Sequence, residues 1–185
     1  MKKLALAFTV ILVLVPGTAH AEEPDITQKV EAGTTFNWDG STAVGLNVNY
    51  WALLEGVHPT SPGTCSDDTN SYCDTVLFEF SNPLTQEEID AGKTFKNKTA
   101  TVTVNEFGPV PDPVTDFDMI AFESDEQGTK GSSLGQSSDF GPDQAGDESI
   151  SFPVRTTVAQ PSKFVLVEIV YFAVVGSNYK GIAAF

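Results

Sequence analysis

Thr115-Asp-Phe-Asp-Met-Ile-Ala-Phe-Glu-Ser-Asp-Glu-Gln-Gly128 reads as one strand with an acidic entrance and an acidic turn behind it. Successive side chains of a strand point to opposite faces, so Asp116 and Asp118 share one face and Phe117 and Met119 share the other. The apolar face asks for a partner sheet. The acidic face is either a solvated strand end or half of a cation site, because two like charges on one face repel unless a cation answers them.

Working outward, the same period of two recurs along the chain. Downstream, Lys130 to Ser137 reads as a short outer strand. In Ser149 to Arg155, Ile150, Phe152 and Val154 fall on one face. Phe164 to Val175 is a long, nearly uninterrupted apolar run, which predicts a strand central in its sheet. Gly176-Ser-Asn178 turns the chain into a closing strand from Tyr179 to Phe185. Upstream, Thr99, Thr101 and Thr103 alternate with Ala100, Val102 and Val104. In the Cys73–Phe80 run, Val76, Phe78 and Phe80 oppose Leu77 and Glu79. Phe36 and Trp38 share a face before the Asp39-Gly40 turn, Leu46, Val48 and Tyr50 alternate with Asn47 and Asn49, and Ile26 to Glu31 reads as a first edge strand. The one helical signal is Thr85 to Ala91, with Thr85 as N-cap, Glu88 three residues on and Gly92 past the end. About eight or nine strands with turn-rich loops and one short helix predict an all-β fold, an antiparallel β-sandwich of jelly-roll type.

Lys2 and Lys3, the apolar run Leu4 to Val15 and the Ala19-His20-Ala21 cleavage pattern read as a secretory signal over residues 1–21, leaving a single domain over 22–185. The apolar run is too short to span a bilayer of about 30 Å hydrocarbon. No later segment reads as a transmembrane helix, and Phe164 to Val175 carries Glu168. The expected location is therefore outside the cell or at its surface. Removing two of the ten basic residues while keeping all 25 acids takes the formal charge from −15 to −17. That charge argues against nucleic acid or anionic lipid as partner and favours cations.

Cys65 and Cys73 enclose Ser66-Asp-Asp-Thr-Asn-Ser-Tyr72. In an oxidising compartment two cysteines this close pair most simply with each other, and a loop this small contributes about 2–3 kcal/mol.

The second half resembles the bacterial pre-peptidase C-terminal domain, a secreted β-sandwich of the broad jelly-roll group that includes proprotein-convertase P-domains and carbohydrate-binding modules. The matching stretches are Asp116-Phe-Asp-Met-Ile-Ala-Phe, Asp147-Glu-Ser-Ile-Ser-Phe, Lys163-Phe-Val-Leu-Val-Glu-Ile-Val and Gly176-Ser-Asn-Tyr-Lys-Gly-Ile. Phe36-Asn-Trp-Asp-Gly40 and Cys73-Asp-Thr-Val-Leu77 extend the likeness into the first half. The resemblance implies the fold and a secreted accessory role. It supplies no substrate, and no catalytic domain accompanies this sandwich.

Catalytic motifs are sparse. His58 is the one histidine after residue 21, it lies beside Pro59, and no Gly-x-Ser-x-Gly elbow is present. One histidine and two paired cysteines do not suit zinc. Calcium takes six to eight oxygen ligands, and Asp116 and Asp118, with Asp74, Asp147 and Glu148, form the candidate set; Ser66 to Asn70 is a second candidate. No contiguous calcium loop is present, so the first site would be discontinuous. Trp51 and Tyr72, with Tyr50 and Tyr171 behind them, are candidates for stacking on a sugar or a peptide, the expected partner being an extracellular polysaccharide or protein. The expected role is non-catalytic binding or structural support. Two other readings stay open: a hydrolase using a carboxylate pair across a cleft, and a small outer-membrane barrel, whose strands would alternate over about ten residues.

Overall fold

The computed structural model describes residues 24–41, 45–46, 73–107, 116–137, 147–174 and 178–185. Strand alternation sorts them into two sheets. The first runs β1 (Ile26–Glu31), β4 (Cys73–Ser81), β9 (Ser162–Val174), β6 (Asp116–Ser124), β7 (Lys130–Ser137), with the two-residue β3 (Gly45–Leu46) on the far end of β9. The second runs β2 (Thr35–Ser41), β10 (Asn178–Ala184), β5 (Phe95–Phe107), β8 (Asp147–Thr157). We call them sheet A and sheet B.

Each strand sends every second side chain between the sheets. Val76, Phe78 and Phe80 of β4, Val165, Val167 and Ile169 of β9, and Phe117, Met119 and Ala121 of β6 line the inner face of sheet A. Trp38, Ala100, Val102, Val104, Ile150, Phe152, Val154, Tyr179 and Ala183 line that of sheet B. Rings interlock across the gap, with Phe80 edge-on to Phe152 at 5.6 Å and Trp38 against Phe78 at 5.5 Å. Each large side chain buried in this way contributes about 1.5–3 kcal/mol, so the apolar halves of the strands account for the architecture. The expected β-sandwich is what forms. Among the described residues the chain forms two separate sheets packed around an apolar filling, so the barrel reading is set aside.

β9 is central in sheet A, as its continuous apolar run requires. Val165, Val167 and Ile169 face sheet B, while Leu166 and Val170 are buried on the opposite face beside Leu77 and Ile120. One pairing departs from expectation: β1 joins β4 in parallel, Ile26 opposite Val76 through Glu31 opposite Ser81. The chain leaves β1 through Gly33, at φ +88°, and enters β2 in the other sheet. β1 therefore has no hairpin partner. Its neighbour in sheet A arrives 41 residues later, long enough for the reversal that parallel pairing needs.

The helix α1 (Gln86–Asp90) follows its sequence signals. Thr85 Oγ1 accepts from the Glu88 amide at 3.3 Å, and Glu88 Oε2 accepts from the Thr85 amide at 2.8 Å, closing a capping box. Lys96 and Lys93 approach the same carboxylate at 2.7 and 2.9 Å. The Lys96 ammonium, then the Thr85 amide and Lys93, hold the Glu88 carboxyl down at about 2. No helix among the described residues is long and apolar enough to cross a membrane.

Candidate functional site

Register places the acidic candidates at one end of the sandwich. β4, β6, β8 and β10 begin there, and β2, β5 and β9 end there. Tyr179 ties the two sheets together at that end. Its ring meets Phe117 of β6 edge-on at 5.5 Å, and its hydroxyl donates to Asp74 Oδ2 on β4. Burial, followed by the adjacent Asp74 charge, pushes the phenol well above its ordinary value, so Tyr179 is a neutral donor at any physiological pH. Asp25, just before β1, sits close by, its Oδ2 accepting from the Thr75 amide at 2.7 Å and the Thr75 hydroxyl at 3.0 Å.

The candidates share that end but divide among faces. Asp74 alternates with Val76 and points inward from sheet A. Asp118, 6 % exposed, lies on the opposite face of the same sheet, and Glu148, 5 % exposed, points inward from sheet B opposite Val104. The side chains of Asp116 and Asp147 lie outside the described residues. Among the described residues no three His, Cys, Asp or Glu side chains are placed to share one ion. Asp118 differs from the expectation of a solvated strand end: its strand is fourth in the five-strand path, flanked by β9 and β7, which buries the entrance along with the middle.

Two groupings were not anticipated. On the face of sheet A away from sheet B, Glu168 of β9 is fully buried and ion-paired to Lys130 of β7, whose ammonium passes over the Phe122 ring at 5.8 Å from its centroid. The signal was in the sequence, since Glu168 is the single acid in the apolar run of β9. The second grouping is a depression of about 290 Å³ on the outer face of sheet B, lined by Asn37, Trp38, Asp39, Asn105, Lys180 and Ile182. Its signal is the polar half of the alternation in β2, β5 and β10, which sequence reading used only to assign the apolar half.

Cys73 opens β4; Cys65, His58, Trp51, Tyr72, Tyr50 and Ser66–Asn70 lie outside the described residues, as do residues 1–21. Tyr171 is in β9, with its side chain outside the described set.

The fold defines a two-sheet β-sandwich. No family model matches the chain, and no curated protein was found to match it. Among solved structures it is similar to the pre-peptidase C-terminal domain of collagenase from Bacillus anthracis. The identity is 12 %, the match covers 87 % of this chain and 98 % of that one, and the TM-score is 0.40. This is the kind of domain that the sequence motifs resemble.

Proposed function

We propose that this chain is an exported, non-catalytic β-sandwich module that binds or supports other components outside the cell, stapled by a Cys65–Cys73 disulfide and stabilised by calcium at its acidic end. The observation that carries the non-catalytic reading is how the described carboxylates are employed. Asp74 accepts from Tyr179, Asp25 from Thr75, Glu88 from the α1 cap and two lysines, Glu123 from Lys163 at 2.7 Å, Asp125 from the Gln127 and Thr129 amides, and Glu168 pairs with Lys130. Carboxylates committed to cross-strand ties, caps and turns are used to hold shape. A carboxylate-pair hydrolase would instead set two such groups across a cleft, and among the described residues the depression on sheet B is lined by one carboxylate, Asp39.

The calcium part rests on the scarcity of cations in an acidic chain and on Asp118, Asp116 and Asp74 all lying at one end of sheet A, with Asp74 and Asp118 on opposite faces of it. Extracellular calcium sites bind with dissociation constants of about 0.1–1 mM. Ligand at about ten times that constant stabilises by about 1.4 kcal/mol, a rise of roughly 3–6 °C in melting temperature for a chain of this size. Calorimetry of the mature protein with calcium and with chelator should show that rise, and Asp118→Ala should remove it. Identical melts would end the calcium proposal and leave the non-catalytic one standing.

A further inference from the structure

The outer face of sheet B is a ladder of short polar side chains, and we infer that it is a binding face for a neutral polysaccharide, centred on the depression at Asn37, Asp39, Asn105 and Lys180. This rests on the proposed role as an extracellular binding module and gives it a ligand class.

The register builds the face row by row. Asp39, Lys180 and Asn105 form one row; Asn37, Ile182, Thr103 and Ser149 the next; Thr35, Ala184, Thr101 and Ser151 the third. Rows lie about 7 Å apart, two residues of strand. Along the second and third rows the hydroxyls already pair, Thr103 with Ser149 at 3.1 Å and Thr101 with Ser151 at 2.8 Å, so these side chains are oriented before any ligand arrives. The result is a level track of hydroxyls leading away from the depression.

The lining of the depression selects the ligand class. Two amides and a carboxylate supply acceptors, and the amides and an ammonium supply donors, matched in sign so that neither a polyanion nor a polycation is favoured. Ile182 adds one apolar patch, as the carbon face of a sugar ring requires. The volume of about 290 Å³ lies at the small end of the roughly 300–1,000 Å³ range of ligand sites. That suits a single sugar unit, and the open track beside it lets the rest of the chain continue. Asn105 adds an independent pointer. Its Oδ1 is shielded from solvent and has no hydrogen-bond donor, a costly state that a small turn of the amide into the depression relieves once a hydroxyl is there to donate.

The test is retention of the mature protein on insoluble cellulose, chitin and xylan and on gelatin resin, each with reducing ends assayed in the same tubes. At least one polysaccharide should retain it. Asn105→Ala and Asn37→Ala should each weaken retention about three- to tenfold, one hydrogen bond's worth, while Gln28→Ala on the other sheet should leave it unchanged. Failure on all three polysaccharides, retention on gelatin alone, or retention untouched by the Asn variants would overturn the inference. Reducing ends released by the wild type would instead overturn the non-catalytic reading and leave the binding face standing.

Discussion

Trp38 and Tyr179 are two of the largest side chains in the core of sheet B, and each faces a glycine. The register pairs Trp38 with Gly181 and Tyr179 with Gly40 on neighbouring rows of β2 and β10. A Cβ at Gly181 would fall inside the Trp38 indole, and one at Gly40 inside the Tyr179 ring. Positive φ among the described glycines is confined to Gly33, Gly92 and Gly128, so Gly40 and Gly181 are required for space. Their absent side chains let two rings lie flat over the β2–β10 pair, which sets both the register and the position of the Tyr179 hydroxyl over Asp74. Gly181→Ala should therefore destabilise the protein by about 3 kcal/mol, the scale of a forced overpacking, seen as a lower urea midpoint at unchanged slope. Adding Trp38→Leu should return part of that loss, because the two changes act on one contact.

At the scale of the element, strands and helix divide by what specifies them. α1 is held by its ends: a five-residue helix with no buried residue depends on the Thr85–Glu88 box and on Lys93 and Lys96. The Glu88 carboxyl is held near 2 when folded, against about 4.5 when unfolded. A depressed carboxyl contributes stability that is complete above the unfolded value and is lost as pH falls from about 4.5 to about 2. Glu88→Gln should flatten the denaturant midpoint across that window and leave the slope at neutral pH unchanged; an unaltered acid limb would show that the box holds nothing. The strands are specified by alternation, and alternation was legible: β7 falls at Lys130–Ser137 and β6 at Asp116–Ser124, as their sequence pattern requires. Pairing was less so. The parallel β1–β4 contact and the Lys130–Glu168 bridge join segments 50 and 38 positions apart, and a period of two says which face a side chain takes without saying which strand lies beside it. Register puts the acid candidates at one end of the sandwich, and their division between sheets A and B follows from that same missing knowledge.

For the whole molecule, charge is the term that acts on every element at once. A formal charge of −15, or −17 once residues 1–21 are removed, repels itself in the compact state. The internal pairings at Glu88, Glu123 and Glu168 use Lys93, Lys96, Lys163 and Lys130, four of the ten basic residues in the full sequence, so the remaining acids have few cations to answer them. Screening should therefore stabilise the sandwich: raising ionic strength from about 10 mM to about 150 mM shortens the Debye length from about 30 Å to about 8 Å and should raise the melting temperature. The same physics sets the control for calcium, which screens as well as binds. At matched ionic strength in sodium or magnesium chloride, a screening effect is reproduced, whereas an oxygen-lined calcium site keeps its increment because magnesium demands a tighter octahedron and dehydrates reluctantly. A melt that rises with sodium as far as it does with calcium would assign the whole gain to screening. An increment particular to calcium, absent in Asp118→Ala, would place the ion at the entrance of β6.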